Sequence, residues 1–161
     1  MRKYLFALII LFSLSFGYSQ NKIKPIEPKD KDKCPVCGMF VIDYPEWWCE
    51  IILDNGKVYF FDGTKDLFKF YLQPEAYGVK KKLKIAKIYV RDYYSLEWTD
   101  AFSAFYVIYS DVYGPMGHEL IPHSKEDDAM EFKQDHNESK ILKFHDIDWQ
   151  LLLRLSLGQE M

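Results

Sequence analysis

The amino-acid sequence predicts an α+β protein made of two small ββα units in tandem that form one compact protein. Each half of the chain contains strand-forming segments, a polar residue that can cap a helix, and then a helical segment. The two cap and helix stretches, FFDGTKDLFKFYL and IPHSKEDDAMEFK, carry an aspartate and an aromatic residue at similar positions, which suggests a weak internal duplication. With 161 residues, 48% of them apolar, the chain is long enough to bury a core.

The N-terminus predicts a secretory signal peptide over residues 1–19. Two basic residues precede an apolar run at residues 4–12, and the small residues Gly17 and Ser19 place the cleavage before Gln20. The apolar run is shorter than the ~20 residues that a membrane-spanning helix needs. We therefore expect an exported protein, located in the periplasm or the outer envelope. Because no cysteine follows the cleavage position, the sequence does not indicate a lipid anchor.

Three further segments are expected after the signal peptide. Residues 20–33, QNKIKPIEPKDKDK, are lysine-rich, contain two prolines and have no apolar period, so they predict a flexible tether. Residues 34–80 are expected to form the first ββα unit, and residues 81–161 the second unit with a terminal helix.

The first unit is predicted to start with a β-hairpin. Residues 47–53 are rich in strand formers, residues 54–56 (Asp-Asn-Gly) supply a turn with positive φ, and residues 58–61 return as a second strand. Asp62 or Thr64 can cap the helix that follows.

The second unit is predicted from a longer series of short segments. In chain order they are strands at residues 84–92 and 102–109, a tight turn at 111–117, a strand at 118–121, a helix capped by Ser124 and ending near Asp135, a strand at 140–144, and a helix at 149–157 ended by Gly158.

The composition and motifs exclude several classes of function. The net charge is −3, and no concentration of basic residues suggests a nucleic-acid surface. The sequence contains no Ser-His-Asp order, phosphate loop or dinucleotide fingerprint, so we expect neither an enzyme nor a small-molecule substrate. Four aspartates fall at expected helix caps and strand ends, where a structural role explains them without catalysis: Asp62, Asp66, Asp92 and Asp100.

The motif CPVCGM at residues 34–39 is the main candidate for chemistry. Cys34 and Cys37 are two residues apart, so a tight turn can point both sulfurs to one side. A thioredoxin-like redox pair should open a helix, whereas this pair precedes the segment Phe-Val-Ile, which is not a helix start. A zinc site would need a second ligand pair, for which His118 and His123 have acceptable spacing. Cys49 is expected to be a small buried residue, with a disulfide to one of the other cysteines as the rival.

Two methionines in glycine-containing turns favour a softer metal. Met39 lies in Cys-Gly-Met, and Met116 lies in Gly-Pro-Met-Gly. A thioether is a poor ligand for zinc and a good one for Cu(I). Most methionines fill cores, but turns bounded by glycine and proline lie more often at the surface, which favours a ligand role for both residues.

Taken in order, these motifs resemble the NosL family. The stretches that carry the resemblance are CPVCGM, FFDGTKDLFKFYL, IYVRDYYSLEW, DAFSAFYVIYSDVYGPMGHELIPHS and KFHDID, which span about Cys34 to about Asp148. The resemblance implies two ββα units and an accessory protein of nitrous-oxide reductase maturation in denitrification. It also implies copper ligands at Cys37 with Cys34, at Met39 and at Met116, to which we add His118 as a nearby donor. Family members are typically lipoproteins, and this sequence differs there.

We therefore expect an extracytoplasmic Cu(I) metallochaperone with one site where the two methionine-bearing turns meet. Its expected partners are the nitrous-oxide reductase assembly proteins, with a membrane transporter complex as a further candidate. The alternative is an interaction module of the cell envelope that is stabilised by structural zinc or a disulfide. An enzyme with a redox dithiol is the third hypothesis.

Overall fold

The computed structural model describes residues 23–136 and 139–159. The predicted signal peptide at residues 1–19 and the first residues of the predicted tether therefore lie outside the described residues. The described part contains a four-stranded sheet, a three-stranded sheet, a two-stranded hairpin and three α-helices. This arrangement confirms the predicted α+β class.

The first sheet is antiparallel and has the strand order β2-β1-β3-β4. Its strands are β1 (Cys49–Leu53), β2 (Val58–Phe61), β3 (Ile85–Arg91) and β4 (Trp98–Asp100). Strands β1 and β2 form the predicted hairpin, and Gly56 has a φ of 80° in its turn.

Helix α1 (Thr64–Leu72) packs on the first sheet through apolar side chains that include Leu67, Phe68 and Phe70. Its N-cap is Gly63, and no side chain caps it. The prediction that Asp62 or Thr64 caps this helix is therefore wrong. The carboxylate of Asp62 instead contacts a cysteine.

The second sheet has β5 (Phe105–Ile108) between β8 (Ile121–His123) and β9 (Lys140–Lys143). The strand predicted at residues 118–121 thus begins later.

Between β5 and β8, β6 (Tyr113–Gly114) and β7 (Gly117–His118) form a short hairpin with Met116 in its turn. Helix α2 (Glu126–Asp135) packs on this sheet, and its N-cap is Lys125 instead of Ser124. Helix α3 (Trp149–Ser156) ends the described chain.

The division of the chain at residue 80 is not a boundary between the sheets. Strands β3 and β4 follow that division, yet both hydrogen-bond within the first sheet. Two strands alone do not bury an apolar face well, so β1 needs a second neighbour. Ile88 and Val90 of β3 supply fully buried side chains beside β1.

Residues 23–33, expected to be part of a flexible tether, contact the first sheet. The Ile26 N–H donates to the Glu50 carboxylate at 3.1 Å, and the Tyr89 hydroxyl donates to the carbonyl of Ile23. Glu50 is fully buried in β1 and needs donors there, because an unpaired polar group inside a protein is costly. The described part of the predicted tether is therefore bound to the sheet.

One continuous apolar core joins the two sheets, as expected for one compact protein. It contains Ile51 and Phe61 of the first sheet, Tyr106 of the second, and Leu152 of α3. Phe68 of α1 contacts the ring of Tyr106 at a centroid distance of 5.3 Å. A smaller cluster lies between α2 and the second sheet. Within residues 23–136 and 139–159, none of the helices has the length and apolarity that crossing a bilayer requires.

His123 gives this fold a predictable pH dependence. Its side chain is fully buried, packed against the rings of Tyr94 and Phe132 at centroid distances of 5.1 Å, and neither ring nitrogen has a hydrogen-bond partner. Burial lowers the pKa of His123, although Asp92 and Asp128 act in the opposite direction.

We predict that His123 lowers the stability of the protein as the pH falls from 7.5 to 5. A depressed pKa means that the unfolded chain takes up a proton first, so the contribution of His123 to stability falls below about pH 6.5, by about 1.4 kcal/mol per pKa unit of difference. The buried carboxyls of Glu50 and Glu119 act in the opposite direction, because burial raises their pKa values to about 7 and about 8.

Urea unfolding at pH 7.5 and pH 5 isolates the contribution of His123 by comparing variants. On going to pH 5, His123→Leu should lose less stability or gain more than the wild type, whereas His145→Gln, at an exposed histidine, should match the wild type. The wild-type pH dependence in His123→Leu would contradict the assignment.

Candidate metal centre

The structure brings four potential ligands together at the start of the first unit. The ligand atoms of Cys34, Cys37, Asp62 and Asp66 all lie within 4.8 Å of one another, and we call this group the Cys-Asp cluster. Three of the four side chains are buried and Cys37 is partly exposed. The cluster is therefore reachable from solvent through Cys37.

A tight turn places the two cysteines. The N–H of Gly38 donates to the carbonyl of Cys34 at 2.9 Å, and the N–H of Cys34 donates to the carbonyl of Met39 at 2.9 Å. Gly38 has a φ of 82°, a conformation that side chains with a Cβ rarely adopt. The motif Cys-x-x-Cys-Gly thus folds as a closed loop that presents both sulfurs to α1.

The beginning of α1 supplies the two carboxylates. Asp62 directly follows β2, just before the N-cap Gly63, and Asp66 lies in the first turn of α1, so both carboxylates lie at the N-terminus of the helix. The Cys37 thiol donates to Asp62, with its sulfur 3.2 Å from each carboxylate oxygen, and the Cys34 thiol donates to Asp66 at 3.5 Å.

Burial and the carboxylates keep both thiols protonated. Burial is the largest cause that raises the pKa of Cys37 to about 12, and the hydrogen bond to Asp62 adds to it. Burial also raises the pKa of Cys34 well above its ordinary value, and the charges of Asp62 and Asp66 act in the same direction. The cysteines are therefore neutral thiols at neutral pH, and a metal must displace protons to bind them.

The second predicted turn is joined to the same end of α1. The ammonium of Lys65 donates to the carbonyls of Met116, at 2.7 Å, and His118, at 2.5 Å. Lys65 is adjacent to Asp66 in the first turn of α1. The β6–β7 hairpin thus lies against the helix end that contributes the carboxylates of the Cys-Asp cluster.

The five predicted ligands differ in their surroundings. Cys34 and Cys37 belong to the Cys-Asp cluster, and Met39 is partly buried in the same turn. Met116 is 43% exposed at the tip of its hairpin. His118 is not a member of the cluster within the described residues, and its ring packs on Tyr113 at a centroid distance of 4.8 Å. The ligand roles of these residues stay predictions.

The second ligand pair that a zinc site was expected to use does not join the cysteines. His123 is enclosed by aromatic rings in the second unit and is not a member of the Cys-Asp cluster. All three cysteines are free thiols, so the disulfide between Cys49 and Cys34 or Cys37 is not formed. Cys49 is buried, as expected.

Sequence reasoning missed the two carboxylates of the cluster. The sequence pattern predicts a helix cap for Asp62 and an ordinary structural role for Asp66. One signal was present, because the two aspartates are four residues apart within FFDGTKDLF, where apolar residues on both sides indicate burial. Buried carboxylates need partners. The neighbouring lysines are candidates in the sequence, whereas the contact with the distant cysteine turn appears only in the fold.

The cluster predicts a specific change in thiol reactivity. In Asp62→Asn the negative charge beside Cys37 is absent, so its pKa should fall and alkylation by iodoacetamide near pH 8 should accelerate, by about tenfold per pKa unit. Mass spectrometry of the labelled protein measures the rate. The control Asp54→Asn changes an exposed aspartate of the β1–β2 turn and should label at the wild-type rate. Unchanged or slower labelling of Asp62→Asn would contradict the role given to its charge.

Comparisons with known proteins find relatives of the chain by sequence and by structure. The NosL family model matches residues 25–152. A relative from Stutzerimonas stutzeri, the copper-binding lipoprotein NosL, is 33% identical over 141 residues, which cover 83% of this chain and 70% of the relative. The crystal structure of the copper chaperone NosL from Shewanella denitrificans has a TM-score of 0.67 and 25% identity, and covers 79% of this chain and 97% of that chain. The resemblance expected from the motifs is confirmed, and the chain belongs to the NosL family.

Proposed function

We propose that this protein is an extracytoplasmic metallochaperone that binds Cu(I) and delivers it to the maturation machinery of nitrous-oxide reductase. The observation that carries the proposal is a pair of free thiols in the Cys-Asp cluster, next to a helix end to which the Met116 hairpin is joined. The names of the two relatives, a copper-binding lipoprotein and a copper chaperone, support copper as the cargo.

The donor set fits Cu(I). Thiolates bind this ion tightly, and thioethers are soft donors that add no charge. In the proposed site Cys37 and Cys34 supply thiolate, and Met39 and Met116 supply thioether from the two turns. His118 stays an additional candidate on the second turn. Met116 and His118 belong to the proposed site, but they are not members of the Cys-Asp cluster.

The carboxylates suggest how the cargo is taken up and released. Each thiol donates a hydrogen bond to a carboxylate, so a proton acceptor is in contact with the sulfur that must be deprotonated. Without copper, thiolates beside Asp62 and Asp66 would place like charges together, which favours reprotonation. Loss of Cu(I) to a partner's ligands and return of the protons to sulfur are therefore coupled, which favours transfer by ligand exchange.

The relative's description as a lipoprotein supports a location outside the cytoplasm. It agrees with the predicted export signal and makes the envelope the proposed site of action. The assembly proteins of nitrous-oxide reductase are the proposed partners, and no catalytic turnover is proposed for the chain.

A structural zinc site is the second candidate function. The observation that favours it is the pair of carboxylates in the Cys-Asp cluster, since zinc accepts oxygen as well as thiolate ligands. The two candidates differ in the methionines. A zinc site should be indifferent to both thioethers, whereas a Cu(I) site should use them.

A Cu(I) competition titration against a chromophoric chelator tests the proposal. We expect Cys37→Ser to weaken binding by about a hundredfold or more, and Met39→Leu and Met116→Leu by about tenfold each, because a lost soft donor is not replaced. Met130→Leu is a matched control, since Met130 is 42% exposed and Met116 is 43% exposed. Wild-type affinity for Cu(I) in all three ligand variants would contradict the copper proposal. Loss in Cys37→Ser alone would favour the zinc candidate.

The affinity for Cu(I) should also rise with pH. Because the pKa of Cys37 is raised to about 12 and that of Cys34 is raised as well, both sulfurs carry protons between about pH 6 and pH 8. Each thiolate formed then releases one proton, so the affinity should increase about tenfold per pH unit for one thiolate ligand and about a hundredfold for two. The same titration at several pH values measures the slope. An affinity independent of pH would contradict thiolate ligation.

A further inference from the structure

Lys65 is a buried cation whose ammonium, among the residues that the structure describes, donates to backbone carbonyls of the second unit. Its side chain is 1% exposed, and a buried charge is costly unless it is hydrogen-bonded. The ammonium donates to the carbonyls of Met116 and His118, at 2.7 Å and 2.5 Å. Both acceptors belong to the β6–β7 hairpin. A single lysine of α1 therefore bonds the hairpin backbone in its turn, at Met116, and in its second strand, at His118.

Glu119 completes the attachment from the hairpin side. This residue directly follows β7 and is 3% exposed. Its carboxylate accepts hydrogen bonds from the backbone N–H of Lys65 and from the N–H of Leu120. The junction therefore has a reciprocal form, in which a side chain of each unit bonds the backbone of the other.

Two glycines make room for the Glu119 side chain. A Cβ at Gly63, the N-cap of α1, would lie 2.6 Å from Oε2 of Glu119, and a Cβ at Gly114 of β6 would lie 3.1 Å from its Cγ. One glycine comes from each unit. The contact between α1 and the hairpin is thus closely packed, and Glu119 has little freedom to shift.

We propose that Lys65 and Glu119 are positioning residues that hold the Met116 thioether at the copper site. The proposal rests on the proposed function, since it takes Met116 to be a ligand. Each strand of the hairpin is two residues long, and so short a hairpin is not stable by itself. The position of the β6–β7 hairpin therefore depends on the part of the fold to which it is attached. The attachment is the first turn of α1, where Asp62, just before the helix, contacts the Cys37 sulfur at 3.2 Å.

A purely electrostatic role for Lys65 makes a different prediction. A positive charge near the thiolates would strengthen metal binding whether or not Met116 is present. A positioning role acts through Met116 and disappears with it. A double-mutant cycle separates the two, because only residues that act together give non-additive changes.

The experiment compares Lys65→Leu in the wild-type and Met116→Leu backgrounds by Cu(I) competition titration. Leucine removes the ammonium without adding a donor atom. We expect Lys65→Leu to weaken binding about tenfold when Met116 is present and to have no further effect when it is absent. Lys69→Leu is the charge-matched control. Lys69 lies on the same helix and bonds Asp66 at 3.4 Å, so its removal should have the same effect in both backgrounds.

The outcomes separate this proposal from the one it rests on. Equal weakening by Lys65→Leu in both backgrounds, or no weakening while Met116→Leu does weaken binding, would overturn the positioning role and leave the copper function intact. Wild-type affinity in Met116→Leu would contradict Met116 as a ligand and the positioning role together. Failure of the wild-type protein to bind Cu(I) would overturn the proposed function itself.

A second readout needs no copper. In metal-free protein labelled with ¹³C at the methionine methyl groups, Lys65→Leu should shift and narrow the Met116 resonance, because the hairpin loses its attachment. The Met130 resonance should not move, and Lys69→Leu should leave both unchanged. Should Lys65→Leu fail to fold, Glu119→Gln keeps the shape of the side chain and should move the Met116 resonance to a smaller extent. An unmoved Met116 resonance in the folded variant would overturn the proposal.

Discussion

The start of α1, from Asp62 just before the helix to Asp66 in its first turn, has to satisfy several buried charges at once, and the rest of the structure is arranged around that requirement. Asp62, Asp66 and Lys65 are all at most 1% exposed. The two carboxylates accept hydrogen bonds from the cysteine turn, and the ammonium donates to the hairpin of the other unit. Carboxylates at the N-terminus of a helix are also favoured by its dipole. One helical turn therefore connects the cysteines, the first sheet and the Met116 hairpin.

This arrangement suits a carrier of metal better than a permanent metal site. The pKa values of Cys37 and Cys34 are both raised, so the two sulfurs are neutral thiols at neutral pH and need no cation to balance a thiolate charge. Cys37 is partly exposed and Met116 is exposed, so a partner could reach both of these proposed ligands. The buried side of the cluster holds the side chains in place, and the proposed ligand exchange would take place on its open side.

The sequence predicted the elements more successfully than their assembly. The β1–β2 hairpin, α1 and the turn with Met116 follow from local patterns, because turn residues and apolar periodicity are encoded within a few positions. The addition of β3 and β4 to the first sheet depends on burial between distant segments, which a local pattern does not contain. The same is true of the site. The motif identified Cys34 and Cys37. The local sequence around Asp62 is typical of a helix cap, and only the fold shows that this carboxylate contacts the Cys37 thiol.

The central claim is that one copper site is built from both units, with sulfur from the cysteine turn and from the Met116 hairpin. X-ray absorption spectroscopy at the copper edge, on the Cu(I)-loaded wild-type protein and on Met116→Leu, tests this claim most directly. The account predicts a first shell dominated by sulfur in the wild type and one fewer sulfur neighbour in the variant, with Met130→Leu unchanged. Identical spectra for wild type and Met116→Leu, or a first shell without sulfur, would contradict it.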